Sequence, residues 1–353
     1  MERSPTLMPT ELHTIDEPPS ALDVWAPARL HWGLLNESGV DGWIDGGVGH
    51  GLAYPSWRFN LTLQNRNSSR EHTEAERIAA STLVKLAAKW HGPRPSIEFT
   101  QQVSLHSGLG ARTSLLLAIG KAYARLMGLT ISTSIIAQML GRGGTSGIGL
   151  QTSDRPGIVT DLGHEFPLMK NSYGPTSAAL SRSTARVGPA FAIPSTWRII
   201  LLLWPGQGLH GIGERGFFQK HCPIPERETR ELLDMVPDLF EALKRGTLRR
   251  VQWFLSRAQD IGLKRHEWCV QGKDQSAFRS AWIDLRMRRR SLAPLCLSSM
   301  GPTHFLLTDS VYDEIRALHD LGVPDRVITI TKPSSTGVTI EPHGDPLKGE
   351  YPW

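Results

Sequence analysis

The sequence predicts an α+β chain in two domains. Three observations predict it: strand and helix patterns follow each other without strict βαβ alternation, two glycine-rich loops flank one pair of helices, and a proline-containing stretch at 189–194 separates them from a fresh strand pattern. At 353 residues the chain can bury a large core without covalent staples. The first domain is expected over 25–190 and the second over 191–340, with a flexible leader at 1–24 and a tail at 341–353.

The leader carries Pro5, Pro9, Pro18 and Pro19 and lacks the basic start and apolar stretch of a signal peptide. Glycine-punctuated strands follow at 29–35 and 43–52, joined by a turn at 36–42. Residues 74–90 have helical apolar spacing and a Gly92-Pro93 stop. A strand over 97–105 runs into His106-Ser-Gly-Leu-Gly-Ala-Arg-Thr113, and the mostly apolar stretch 114–127 reads as a buried helix. A helix over 131–140 ends in the second glycine loop, Gly141-Arg-Gly-Gly-Thr-Ser-Gly-Ile-Gly149. In the second domain, 197–204 reads as a buried strand. Helices are expected at 226–244, 248–261 and 275–288, and strands at 293–299, 303–308 and 326–331 around a helix at 311–321.

Lys and Arg exceed Asp and Glu by 39 to 34, a net +5 that suits a small anionic substrate better than a nucleic-acid duplex. The basic run Arg286-Met-Arg-Arg-Arg290 ends a predicted helix, where it complements the dipole. No nucleic-acid partner is expected. The apolar run 199–204 is far short of the roughly 18 residues that span a bilayer, so no membrane segment is expected. Cys222, Cys269 and Cys296 have no CxxC or His/Cys spacing, which argues against disulfides and zinc and for a cytoplasmic location.

Three loops carry the chemistry. In the first, Ser107, Gly108, Leu109, Gly110, Ala111, Arg112 and Thr113 allow close backbone approach and lead into a helix whose first turn has unpaired N–H groups. That is an anion cradle; by itself the pattern is more often a tight turn opening a core helix. The second loop offers Arg142, Thr145 and Ser146. The third, Leu297-Ser-Ser-Met-Gly-Pro-Thr303, offers Ser298, Ser299 and Thr303. On the first strand, Arg29 and His31 share the face opposite Leu30 and Trp32.

These loops in this order resemble the GHMP kinase superfamily. With Ala28-Arg-Leu-His-Trp-Gly-Leu-Leu35, Asp45-Gly-Gly-Val-Gly49 and Gly211-Ile-Gly-Glu214 they resemble its β-ribofuranosylaminobenzene 5′-phosphate synthase branch, over about residues 26–340. That branch also holds, by similarity, the C-glycoside synthases of C-nucleoside antibiotic pathways. The resemblance implies a ribosomal-S5-like N-terminal domain, a ferredoxin-like C-terminal domain and a homodimer. It also implies a transferase: phosphoribosyl pyrophosphate loses pyrophosphate, and an aromatic carboxylic acid gains the ribosyl phosphate at the carbon that loses CO2. No organic cofactor is implied; Mg2+ is expected with the pyrophosphate.

The residues fit a transferase better than a kinase. Gly149 stands where many GHMP kinases have an Asp serving the phosphoryl acceptor, and Ala111-Arg112 replace their paired serines. The phosphates are therefore assigned to the first two loops, through backbone N–H groups and Arg112, Thr113, Arg142 and Ser146. Asp45, Asp161 and Glu214 are candidate catalytic acids, to hold the ribose diol, bind Mg2+ or orient an amino group of the acceptor. Arg29, His31, Trp32, Arg155, Ser298, Ser299 and Thr303 are candidates for acceptor or ribose binding. The altered segment 152–157, the Ala111-Arg112 substitution and Arg155, available to a second carboxylate, favour a pyrazole dicarboxylate acceptor over a benzoate.

Overall fold

The structure, a computed structural model, describes residues 18–63, 73–175 and 184–346. Two long strands, β1 (Ala21–Asn36) and β2 (Trp43–Thr62), form the spine of the first sheet. α1 (Glu74–Trp90), β3 (Ser96–Gln101), α2 (Ala111–Leu126), α3 (Thr133–Met139), α4 (Ile148–Asp154), β4 (Ile158–Asp161), β5 (His164–Glu165) and β6 (Val187–Phe191) complete the first half. The second half runs β7 (Arg198–Leu203), α5 (Gly211–His221), α6 (Glu226–Lys244), α7 (Leu248–Ala258), α8 (Gly262–Cys269), α9 (Lys273–Arg288), β8 (Cys296–Leu297), β9 (Thr303–Thr308), α10 (Val311–Asp320), β10 (Ile328–Thr331) and β11 (Thr339–Pro342).

The first sheet has the order β11-β1-β2-β4-β6, with β3 and β5 also paired to β2; the second has the order β10-β7-β9-β8. One apolar core joins them. Leu22, Val24 and Leu30 of β1 share it with Leu115 and Ile119 of α2, Leu239 of α6, Phe254 of α7 and Ile199 of β7. β1 is thus clamped between the two halves, which places its side chains at their junction.

Two expectations at the chain ends need correction. β1 begins at Ala21, inside the stretch read as leader, because alternating Leu22 and Val24 bury completely on the sheet. β11 pairs antiparallel with it, Leu22 opposite Pro342 and Trp25 opposite Thr339, so residues 339–342 return to the first sheet rather than starting a tail. Residues 1–17 and 347–353, the rest of the expected leader and tail, lie outside the described residues. The sequence reading also passed over α5 and α8. Both carry glycine at their start, and α5 has three glycines in its first six residues, which lowers local helix preference by roughly 1 kcal/mol each. Among the described residues no helix is long and apolar enough to cross a membrane.

Candidate active site

The glycine loops meet at the junction of the two halves around a cavity of about 520 Å3. The first loop gets its shape from residues without side chains. Gly110 takes φ 61 as the N-cap of α2, and a Cβ there would lie 2.6 Å from Cγ of Arg29. It supplies no side-chain cap, so the first-turn N–H groups of α2 stay open toward the cavity wall at Ala111, Arg112 and Thr113. Gly108, at φ 89, lies against Gly301 of the third loop, where a Cβ would come within 2.1 Å of the Gly108 nitrogen.

The third loop therefore acts mainly as a buttress. Ser298 is fully buried, donates to the Gly108 carbonyl at 2.9 Å and accepts the His31 backbone N–H at 3.2 Å. Thr303 is buried behind it, Ser107 donates to the Ser104 carbonyl at 2.8 Å, and Leu109 joins the core. Of the third-loop candidates only Ser299 reaches the cavity wall, beside Met300 and Gly301.

Four arginines, Arg29, Arg112, Arg142 and Arg215, line this wall. Nε and Nη1 of Arg29 are buried with no hydrogen-bond partner. Burial, and then the charge of Arg142, pushes its guanidinium down to about 10. Arg142 donates to Thr113 Oγ1 at 2.8 Å, and burial followed by repulsion from Arg112 lowers its pKa too. Clustered cations of which one lacks buried partners form a receptor for a polyanion. Glu214, in the first turn of α5, faces the same cavity; burial raises its pKa while Arg142 and Arg29 oppose the rise.

Beneath the second loop, Ser146 connects two titratable groups. Its Oγ lies 3.0 Å from Nε2 of His31 and 3.3 Å from Oδ2 of Asp161, and Asp161 also accepts the Gly147 and Gly163 N–H groups at 2.9 and 3.1 Å. Burial, reinforced by Asp45, raises Asp161 to about 7, while burial, with Arg29 and Lys264 nearby, holds His31 well below its usual range. His31 and Ser146 line the cavity; Asp161 reaches it only through Ser146.

Three sequence candidates stand elsewhere. Trp32 points into the core and donates its indole N–H to Nδ1 of His50 at 3.1 Å, as the alternation of β1 requires when Arg29 and His31 face the cavity. Asp45 is wholly buried, 2.7 Å from Nζ of Lys170 and 2.6 Å from Nδ1 of His164, a clasp outside the cavity wall. Arg155 follows α4 and donates to the Gln151 side chain and, at 2.7 Å, to the Gly188 carbonyl, so it does not reach the acceptor space assigned to it. Gly149 is buried within α4, where a Cβ would meet Thr113 Cγ2 at 2.9 Å; no carboxylate projects there.

The structure adds residues that sequence reasoning missed. His106 and His210 stack with ring centroids 3.9 Å apart in the cavity wall. Leu34, Phe218 and Met300 form an apolar side. Glu267 of α8 reaches the cavity from the second half, ion-paired with Lys264. No signal in the sequence marks Glu267, because α8 is eight residues long and opens on Gly262, which leaves its helix pattern weak. No group of three or more His, Cys, Asp or Glu is placed to hold a metal among the described residues. A divalent ion that a ligand's own phosphates carry needs only one or two protein carboxylates, and Glu214 is one that lines this wall.

Comparison with known proteins agrees with this architecture. No protein-family model matches the chain. A homoserine kinase from Cytophaga hutchinsonii has a TM-score of 0.58 at 14% identity, covering 93% of this chain and 99% of its own. Mevalonate diphosphate decarboxylase from Enterococcus faecalis has a TM-score of 0.61 at 11% identity, covering 91% and 99%. The fold is thus the two-domain, GHMP-kinase-like α+β fold. A β-ribofuranosylphenol 5′-phosphate synthase from Archaeoglobus fulgidus is 34% identical over 334 residues, 89% of this chain and 98% of the relative. A protein of the same name from Methanocaldococcus jannaschii is 26% identical over 336 residues, again 89% and 98%. With that identity maintained across almost the whole length of both chains, the protein belongs to the β-ribofuranosylphenol 5′-phosphate synthase family.

Proposed function

We propose that this chain joins the ribose 5-phosphate of phosphoribosyl pyrophosphate to the ring of 4-hydroxybenzoate, releasing pyrophosphate and CO2. The observation that carries the reading is the Arg29 guanidinium, two of whose nitrogens are buried without a hydrogen-bond partner, set with Arg112 and Arg142 around the open N-terminus of α2. A small neutral ligand would leave that charge unmet; a sugar bearing two phosphate groups would meet it. The relatives' name supplies the other half, since a ribosyl phenol is what remains when ribose replaces the carboxylate of a hydroxybenzoate.

Departure of pyrophosphate leaves an oxocarbenium-like centre at the anomeric carbon. The arginines and α2 N–H groups stabilise the leaving phosphates, each such donor lowering the barrier by on the order of 3 kcal/mol. Magnesium, when bound with the pyrophosphate, would add charge neutralisation there, with Glu214 as its protein ligand. The ring then attacks through the carbon bearing the carboxylate, and loss of CO2 restores aromaticity, so no ring proton has to be removed.

The pyrazole dicarboxylate acceptor has less support. Of the features that favour it, Ala111-Arg112 stays at the cavity wall, but Thr152, Ser153 and Arg155 are occupied in bonds to Gly149, Leu150 and Gly188. The test is mass spectrometry of products from phosphoribosyl pyrophosphate with 4-hydroxybenzoate, 4-aminobenzoate or a pyrazole dicarboxylate. Equal release of pyrophosphate and CO2 with a benzoate is expected. Consumption of ATP without phosphoribosyl pyrophosphate would instead identify a kinase, and release of neither product would identify a binding protein. Light scattering of the same sample checks the expected homodimer.

A further inference from the structure

We infer that Glu267 is the catalytic base for the acceptor's para hydroxyl and that the apolar wall of Leu34, Phe218 and Met300 is the seat of its ring. This inference rests on the proposed reaction and assigns its acceptor end.

Only two carboxylates line the cavity among the described residues, Glu214 and Glu267. Glu214 sits on α5 with Arg142, Arg29 and His210 as charged neighbours, and Glu267 lies within electrostatic reach of Arg29 and Glu214 as well. Glu267 sits on α8, one turn after Leu263, which packs with Phe218, Met300 and Leu34 in one apolar cluster. A ring laid on that cluster has Glu267 as its polar neighbour. An aromatic acid needs such a place: an apolar surface for the ring and a fixed polar group for its substituent.

Lys264 is the positioning residue. It donates to Glu267 and, at 3.2 Å, to the Leu297 carbonyl, and its stem passes 3.6 Å from the site of a Cβ on Gly33 of β1. The carboxylate is 4% exposed and anchored from one side, which leaves lone pairs for a second donor, because an ionised carboxylate has about four acceptor positions.

The reaction supplies that donor. The C–O bond to pyrophosphate breaks, pyrophosphate leaves with that electron pair, and the ring carbon then forms its bond to the oxocarbenium-like anomeric carbon. The ring's electrons come from the para oxygen, whose O–H bond breaks with its proton passing to Glu267. The ring is now a dienone bearing both ribose and carboxylate. The C–CO2 bond then breaks, its electron pair returns to the ring, and the oxygen recovers the proton from Glu267, giving the phenol. Arg29, Arg112, Arg142 and Arg215 cannot accept that proton, neutral His31 is engaged by Ser146, and His106 and His210 stack on each other with ring nitrogens turned to Glu74 and the Gly208 carbonyl.

Two measurements test the assignment. Calorimetry compares 4-hydroxybenzoate with 4-methylbenzoate, which keeps the ring and carboxylate but has no proton to donate. Wild type should prefer the hydroxy acid by about tenfold or more, as a hydrogen bond to a charged group requires. The Lys264→Met, Glu267→Leu double variant, which removes both members of the buried ion pair, should bind the two acids equally. Turnover of Glu267→Gln should fall about 100-fold or more in kcat, with the KM for phosphoribosyl pyrophosphate unchanged. Equal affinity of wild type for the two acids, or Glu267→Gln turnover within about threefold of wild type, overturns the assignment. The binding arm needs no catalysis, so it reports on Glu267 even if the proposed reaction itself fails; that failure would appear separately, as wild type releasing no pyrophosphate.

Discussion

Replacing Arg29 by Met should make the ligand-free protein more stable and the donor-bound protein less so. The reasoning starts from the two guanidinium nitrogens buried without a partner. Lowering of this group from 12.5 to about 10 corresponds to about 3 kcal/mol of unfavourable charge burial and repulsion from Arg142. Water in the cavity screens the part of the guanidinium left open, which reduces the figure to roughly 1–2 kcal/mol. Met keeps the aliphatic stem that packs beside Gly110, so the loss of contact is small. The ligand-free variant should therefore melt about 2–6 °C above wild type. Pyrophosphate binding should weaken by about 10- to 150-fold, the equivalent of one charge-assisted hydrogen bond. Differential scanning calorimetry with and without pyrophosphate measures both. If Arg29→Met melts below wild type while binding pyrophosphate equally well, Arg29 is a structural residue and the polyanion reading of the cavity is wrong.

Gly301→Ala would push a Cβ to 2.1 Å from the Gly108 nitrogen, more than an ångström inside contact distance, so the first and third loops must separate. A loss of about 1–3 kcal/mol in stability and about 100-fold in kcat is expected by thermal melting and pyrophosphate-release assays; an active variant with wild-type Tm would mean the loops do not meet. Arg155→Ala should leave the acceptor KM within about twofold and stability within about 1 kcal/mol, since its bonds are to Gln151 and Gly188; a large rise in KM for the aromatic acid would return Arg155 to the site. Asp161 is raised from 3.8 to about 7, so the native state holds its proton more tightly than the unfolded chain does. Its contribution is present below about pH 4 and lost as pH rises through about 7. Relative to Asp161→Asn, wild-type Tm should fall across that window, and parallel melting curves from pH 4 to 7 would refute the shift.

The features legible in the sequence are those set by near neighbours along the chain. Residues 74–90 read as a helix from apolar spacing and a Gly-Pro stop, and α1 spans them. The two glycine loops were recognisable because a left-handed cap such as Gly110 can hardly be another residue, and the alternation on β1 put Arg29 and His31 on one face. Tertiary structure decided which of these residues share a space. Arg29, His31, Arg112, Arg142, Ser146, Glu214 and Ser299 come together, whereas Arg155 turns to Gly188 and Asp45 is taken by Lys170. Ser298, 267 positions from His31, proved to be a buttress, and Glu267 entered the cavity from a helix whose local signal was too weak to read. The physical reason is that backbone preference depends on residues a few positions apart, while a cavity depends on which distant segments pack together, and a single chain's local pattern does not encode that.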